Sequence, residues 1–284
     1  MMRFVNPNLY LALLFCLVLF ISGRQLAILR CDSRTKWMLT IILSAVAFPA
    51  LLFPLGYFDL FGESPFYCSF RTINRIEILT SLLSPLLGYI SYDMPQRRRR
   101  RVRESGLPAL AMRLRPFAFP FCILYITLCF IKPIIRPLSR NIDFSERWED
   151  GVMMQSSAST CGPASLATAM FSIDGYMDSE ADIAKRAFTC SSGTENWYLA
   201  RHTIERGYRV RFSKCRDIED VAVPSIIGVR IGDIGHFITV LGVGDNSVVI
   251  GDPLRGRLSL TPEEFYTVYD FPGFTMAVSS RTSR

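Results

Sequence analysis

The sequence predicts two parts of different class: an all-α transmembrane region of about four helices over residues 1–140, and an α+β domain over 141–284. Three observations carry that division. Long apolar runs are dense up to about residue 140 and shorten afterwards. Up to Arg140 there are 18 Lys and Arg against 6 Asp and Glu, a balance of +12, while the remainder has 14 against 19, a balance of −5, which together make the +7 of the chain. Beyond Arg140 helical patterns come first and short β-rich runs follow, the order of an α+β domain.

Four segments are candidates for spans: Phe4–Ser22, Trp37–Leu60, Ile76–Tyr92, and Phe117 to about Ile135. The hydrocarbon core of a bilayer needs roughly 20 apolar helical residues, within a range of about 17 to 25. The second segment fits that length most comfortably. The first is followed by Gly23-Arg24-Gln25, a poor cleavage site, so it reads as a span and not as a signal peptide. Pro120, Lys132 and Pro133 interrupt the fourth. Two loops are strongly basic, one with Arg24, Arg30, Arg34 and Lys36, the other with Arg97 to Arg101, Arg103, Arg113 and Arg115. The loop between the second and third segments has only Arg71 and Arg75. Basic short loops stay in the cytoplasm, so this alternation places everything after the fourth segment on the extracytoplasmic side. A pI of about 9.1 would also suit a nucleic-acid partner. The positive excess lies wholly in the apolar half, however, and reads as a bilayer partner, not a nucleic acid.

In the second part, Cys161 to about Ser172, Ser179 to Ala187 and Trp197 to Arg206 have helical patterns. Ser179 with Asp182 marks a helix start, and Gly207 marks a stop. The runs Arg209–Phe212, Ser225–Val229, His236–Val243, Ser247–Ile250 and Arg257–Leu260 have the composition of strands.

The stretch QSSASTCGPASLATAM, from Gln155 to Met170, sets one cysteine at the expected start of a helix. Helix N-termini carry partial positive charge and unpaired N–H groups, which stabilise a thiolate. Pro163 suits a first turn, where a missing N–H costs nothing. A thiol nucleophile needs a base, and the chain has two histidines. His202 lies in YLARHTIERGY among charged neighbours and reads as part of a solvated helix face. His236 starts an alternating strand that runs to the turn signal Gly244-Asp245-Asn246. Antiparallel pairing about Gly244 and Asp245 gives partner numbers summing to 488 or 489, which sets His236 opposite 252 or 253. Residue 252 is an aspartate. A carboxylate there would orient the imidazole and stabilise its charged form. Asp233, Asp245 and Asp270 are rival partners away from that register. Attack on a carbonyl also needs oxyanion donors, for which the Cys161 N–H and the Gln155 amide are candidates.

With these residues placed, the chain after 150 resembles the bacteriocin-processing cysteine peptidases, the papain-like family that removes double-glycine leader peptides. The resemblance rests on Gln155-x5-Cys161-Gly162-x-Ala164-x-Leu166-Ala167, on Gly193-Thr194 with the helix to Gly207-Tyr208, and on His236-Phe237-x-x-Val240-Leu241. Asp252-Pro253-x-x-Gly256 and the ending with Leu260 and Glu263-Glu264-Phe265 complete it. It implies a papain-like α+β fold, a peptide substrate, Cys161 as nucleophile, His236 as base, Asp252 as its orienting partner and Gln155 as oxyanion donor. It also implies a separate exporter as partner, because the best-known members are fused to one. No G-x-x-x-x-G-K-[ST] loop occurs, so ATP-driven export by these residues is excluded. An outward-facing domain also departs from members that face the cytoplasm.

No cofactor is expected, and no cysteine or histidine spacing suits a metal. Seven of the eight cysteines are Cys16, Cys122 and Cys129 in apolar runs, Cys31 in a basic loop, and Cys161, Cys190 and Cys215 in the second part. In an oxidising compartment the last two are available to pair. Two other readings use the same residues: a membrane-tethered peptide-binding module without catalysis, and a thiol acyltransferase. The helix-start placement makes a direct prediction. Among the eight cysteines, Cys161 alone reacts rapidly with a mild alkylating agent at neutral pH, read by mass mapping. Labelling of Cys190 or Cys215 with Cys161 untouched would refute the nucleophile.

Overall fold

The computed structural model describes residues 5–29, 32–55, 64–91, 115–139 and 142–280. In chain order its α-helices of five or more residues are α1 (Asn8–Ile28), α2 (Ser33–Ala47), α3 (Pro65–Thr72), α4 (Leu83–Ser91), α5 (Ala118–Leu128), α6 (Ile131–Ile135), α7 (Cys161–Asp174), α8 (Glu180–Arg186), α9 (Asn196–Glu205) and α10 (Pro262–Val268). The strands are β1 (Trp148–Glu149), β2 (Val152–Met153), β3 (Arg209–Lys214), β4 (Ser225–Ile231), β5 (Ile234–Gly244), β6 (Ser247–Asp252), β7 (Gly256–Leu260) and β8 (Phe274–Ser279). The chain divides into two compact units. One is Asn6–Gly62 with Arg75–Ile131, and the other is Met1–Val5, Glu63–Asn74 and Lys132–Arg284.

The first unit is helical among its described residues. Asn8–Ile28 and Arg34–Pro54, 21 residues each, are long and apolar enough to cross a membrane, whereas Ile76–Ser91 and Ala118–Leu128 are shorter. The first helix continues six residues past Ser22, through Gly23-Arg24-Gln25. Close packing explains why a glycine stands there. A Cβ on Gly23 would collide with the Pro85 backbone, and one on Gly88 with the Phe20 backbone, so α1 and α4 approach main chain to main chain. Small residues at such crossings are a feature of helix packing in membranes. The third segment begins as a 3₁₀ helix over Ile76–Leu82, where buried Glu77 accepts a hydrogen bond from Asn8 Nδ2 at 2.9 Å. Phe4, Arg30, Cys31, Leu60, Tyr92, Arg97 to Arg101, Arg103 and Arg113 lie outside the described residues.

The second unit is the α+β part. Its six-stranded antiparallel sheet has the order β3-β8-β4-β5-β6-β7, and β1 and β2 form a separate hairpin. One face of the sheet packs on α7 and α9 through Leu166, Met170, Leu199, Phe212, Ile226 and Met276. The other face closes a second core of Ile227, Ile238, Val240, Ile250, Phe265 and Tyr269, with α10 laid across it. Ser179 caps α8 by accepting from the Asp182 N–H at 3.3 Å. Gly207, at φ 89°, follows the end of α9. The strands extend one to two residues beyond the apolar runs. Four elements of this unit were not anticipated from the sequence: the hairpin strands β1 and β2, helix α10 and strand β8. Helix α10 starts with a capping box in which Thr261 and Glu264 satisfy each other's backbone N–H groups. Strand β8 inserts between β3 and β4, so the last strand of the chain lies inside the sheet.

Two groups lie where the sequence did not place them. Helix α3, within the span assigned to the membrane region, belongs to the same unit as the sheet, because Tyr67 and Cys68 bury in its core. His202 is not on a solvated face: it is 2% exposed, with Nε2 2.7 Å from Asp178 Oδ2. Arg206 donates to Asp178 at 2.9 Å and to Asp182 at 2.8 Å. Burial raises the Asp178 pKa, but the hydrogen bond from His202 and the charges of His202 and Arg206 outweigh it and hold the carboxyl below its ordinary value. That stabilisation is present above the ordinary carboxylate range and is lost as pH falls through the lowered value. His202→Ala is therefore expected to lower the urea midpoint by an equivalent of about 1–3 kcal/mol, since it strips a buried carboxylate of one partner. An unchanged midpoint would place His202 back at the surface.

Candidate active site

Cys161 is the first residue of α7 and is 8% exposed. By helix geometry the first N–H groups of α7 have no partner within the helix, and Pro163 has none to offer. No side chain caps this end, since the Thr160 hydroxyl is engaged with Ser157. Gly162 explains how closely the helix start fits its surroundings. A Cβ there would lie 3.1 Å from Leu199 of α9 and 3.4 Å from Phe237 of β5.

The seam between α7 and β5 is fixed by buried hydroxyls. Ser165 Oγ donates to the Phe237 carbonyl at 2.9 Å, and Thr239 Oγ1 donates to the Ser165 carbonyl at 2.8 Å. The helix that starts at Cys161 is thereby held in register with the strand that starts beside His236. Hairpin β5–β6 turns at Asp245-Asn246, one residue later than expected. Gly244 pairs with Ser247, and past a bulge at Leu241 Val240 pairs with Ile250, so partner numbers sum to 491 and then 490. One further step sets Asp252 opposite Ile238, leaving His236 diagonal to it on the same face. A diagonal neighbour is within reach of a long side chain. His236 Nε2 lies 2.8 Å from Asp252 Oδ1. Asp233, Asp245 and Asp270 make no such contact with His236 among the described residues.

Asp252 is fully buried, and each of its oxygens has a partner. Oδ1 also accepts from the Leu254 N–H at 2.9 Å, and Oδ2 accepts from the Tyr269 hydroxyl at 2.7 Å. Arg255 Nε stands 3.9 Å away. Burial alone would raise the Asp252 pKa, but the hydrogen bonds from His236, Tyr269 and Leu254 bring it below its ordinary value. Tyr269 responds in the opposite sense, pushed up by burial and by the carboxylate, and so remains a donor. Burial disfavours the charged form of His236, yet the hydrogen bond to Asp252 and the hydrogen bond and charge of Cys161 prevail and raise its pKa to about 9. With Nε2 committed to Asp252, Nδ1 is the nitrogen left for the thiol. Tyr269 was not singled out from the sequence. It lies 17 residues from Asp252 with α10 between them, and no spacing rule connects the two.

Gln155 and His236 line one cleft of about 440 Å³, together with Ser157, Ile234 and Leu254. The Gln155 N–H donates to the Pro253 carbonyl at 3.0 Å, which ties this loop to the turn after Asp252. Its Nε2 donates to the Ser157 carbonyl at 2.7 Å. An amide nitrogen has a second hydrogen beyond that bond. The neighbouring Ser156 is held by Glu180, a fully buried carboxylate at the start of α8. Cys190 and Cys215 are separate free thiols, one beside Ser192 and the other toward the Asp220 carbonyl. Among the described residues no cluster of three or more His, Cys, Asp or Glu is arranged for a metal.

The second part of the chain is similar to known proteins. The profile of the peptidase C39 family matches residues 150–283. An uncharacterized protein of Methanothermobacter marburgensis is 33% identical over 121 residues, 43% of this chain and 84% of that protein. One of Methanothermobacter thermautotrophicus is 31% identical over the same shares. Among solved structures, the peptidase domain of Streptococcus ComA, a bifunctional ABC transporter, is 24% identical with a TM-score of 0.41, covering 46% of this chain and 98% of that one. A double-glycine-motif protease from an AMS/PCAT transporter, in complex with its leader peptide, is 20% identical with a TM-score of 0.39, covering 50% and 96%. From residue 150 to 283, then, with its helices ahead of an antiparallel sheet and its Cys, His and Asp motifs in order, the chain belongs to the peptidase C39 family.

Proposed function

We propose that this chain is a multi-pass membrane cysteine peptidase, with a transmembrane region over 1–140 and a papain-like peptidase domain over 141–284 on the extracytoplasmic side. The observation that carries the chemistry is the His236–Asp252 pair, 2.8 Å apart and buried, beside a thiol at a helix start. His236 and Cys161 share a proton. The Cys161 sulfur attacks the scissile carbonyl, and its oxygen becomes an oxyanion facing the Cys161 N–H and the Gln155 amide. As the intermediate collapses, the C–N bond breaks and His236 gives its proton to the leaving amine. The acyl group stays on sulfur as a thioester. Water, losing a proton to His236, attacks that thioester, and the acid product leaves with the thiol restored. Asp252 keeps the imidazole in one tautomer and opposes the charge it carries. Tyr269 is a positioning residue acting through Asp252.

The substrate is a peptide or protein with small residues before the scissile bond, of the Gly-Gly leader type that the Gln155, Cys161, His236 and Asp252 motifs suggest. A separate exporter and the bilayer are the partners. Neither nucleic acid nor a cofactor enters the reaction.

Hydrolysis of a synthetic peptide bearing a Gly-Gly leader, followed by mass spectrometry, tests the chemistry. Cys161→Ala is expected to abolish cleavage, and Gln155→Ala to lower kcat by roughly a hundredfold to a thousandfold. Cleavage that persists in Cys161→Ala would dismiss the mechanism.

The pH dependence gives a separate check. The His236 pKa is raised from 6.5 to about 9, so any stability it contributes is full below about 6.5 and lost as pH rises through about 9. The proton needed by the leaving amine is lost over the same range. A kcat/KM profile is therefore expected to fall on an alkaline limb near pH 9. In Asp252→Asn, which also lowers turnover strongly, that limb shifts to lower pH. A limb that does not move would disconnect Asp252 from the imidazole.

A further inference from the structure

Helix α3 is covalently part of the loop between the second and third apolar segments, yet it is built into the peptidase unit. Its eight residues bury Tyr67, Cys68 and Arg71 on one face. That face meets α9. The Arg71 guanidinium stacks 4.4 Å from the Trp197 ring, and Tyr67 meets the same ring edge-on at 5.8 Å. Arg71 Nη1 also donates to the Tyr67 hydroxyl at 2.8 Å. From α9, Arg201 donates through Nε at 3.0 Å, and again through Nη2, to the Arg71 carbonyl. Carbonyls in the last turn of a helix lack partners within it, so Arg201 satisfies the C-terminal end of α3. Indole is the best of the aromatic rings for a cation, and the attraction grows when the pair is desolvated. The contact is thus specific at both ends: an aromatic platform for the cation of α3 and a cation for its carbonyl end.

We infer that the α9 surface formed by Trp197 and Arg201 is a permanent docking site for residues 65–72, and that it places this loop and the peptidase domain on one side of the membrane. The consequence follows from connectivity. Between Asn74 and Ile142 the chain must cross the bilayer an even number of times, so segments 76–91 and 118–131 cross together or not at all. Neither segment alone is long enough to settle this by hydropathy, since both fall below the usual length for a span. The docking decides it without reference to charge. It also reaches the active site, because Leu199, on the same helix as Trp197 and Arg201, is the side chain closest to where Gly162 would carry a Cβ. The inference rests on the membrane part of the proposed function and not on its chemistry.

Two readouts on the full-length chain test it, both in a Cys161→Ala background so that the chemistry has no bearing on the result. In spheroplasts, a tag inserted between Gly62 and Glu63 and a tag at the C-terminus are expected to be both digested or both protected when protease is added. One digested and the other protected would overturn the inference. In detergent, trypsin is expected to cut after exposed Arg75 at least about tenfold faster than after buried Arg71, and Trp197→Ala to remove most of that difference, because cleavage tracks local opening. Arg201→Gln, the milder change, is expected to narrow it without unfolding the domain. Equal cleavage at Arg71 and Arg75 in the chain with Trp197 and Arg201 intact would overturn the docking.

Discussion

A carboxylate at zero exposure governs much of this structure. Asp252 has a solvation cost that only a complete set of partners can offset. Three elements supply that set: the imidazole from β5, the phenol from the residue after α10, and a backbone N–H from the turn that follows β6. Each partner constrains the element that carries it. The β5–β6 register, the packing of α10 across the sheet and the turn at Pro253 are therefore linked through one side chain. The same linkage lifts the His236 pKa, so the electrostatics of the site and the stability of the fold share a cause.

The second constraint is how closely α7 approaches β5 and α9. Gly162 allows the approach, and the Ser165 and Thr239 hydroxyls give it a single register by hydrogen-bonding across the seam. Buried hydroxyls of this kind leave unsatisfied groups if the helix slides, which makes a shifted arrangement costly. The loop before Cys161 is held with equal care. Glu180 holds Ser156, and the Pro253 carbonyl holds the Gln155 N–H, so this loop is tied to the aspartate turn.

Polar groups among the apolar helices follow the same logic. Asn8 and Glu77 satisfy one another, and the glycines Gly23 and Gly88 bring two backbones into contact where larger side chains would keep them apart. Where the chain leaves this unit at residue 132, Lys132 forms an ion pair with Glu195, 2.5 Å apart, at the start of α9. A charge that interrupts an apolar stretch in the sequence thus marks where the second unit begins.

Local patterns were enough to place most elements. The apolar runs, the Ser179 cap, the Gly207 stop and the alternation after His236 report preferences that act within a few residues; in the second unit the element ends are shifted by a residue or two, whereas α1 starts four residues late and runs six past Ser22. The meeting of His236 with residue 252 was also legible, because a short hairpin turns sequence distance into spatial distance. The register was off by two, since a bulge at Leu241 and the true turn at Asp245-Asn246 depend on packing and not on the turn residues alone. Tertiary structure decided the rest. His202 looks solvated among charged neighbours, yet Asp178, 24 residues away, draws it inside. Tyr269 reaches Asp252 only because α10 folds back over the sheet. Helix α3 joins the peptidase unit because Trp197 and Arg201, more than 120 residues later in the chain, offer it a ring and a donor. Sequence alone determines what each segment prefers to be; which distant groups must meet is set by the burial of charge, and that depends on the whole fold.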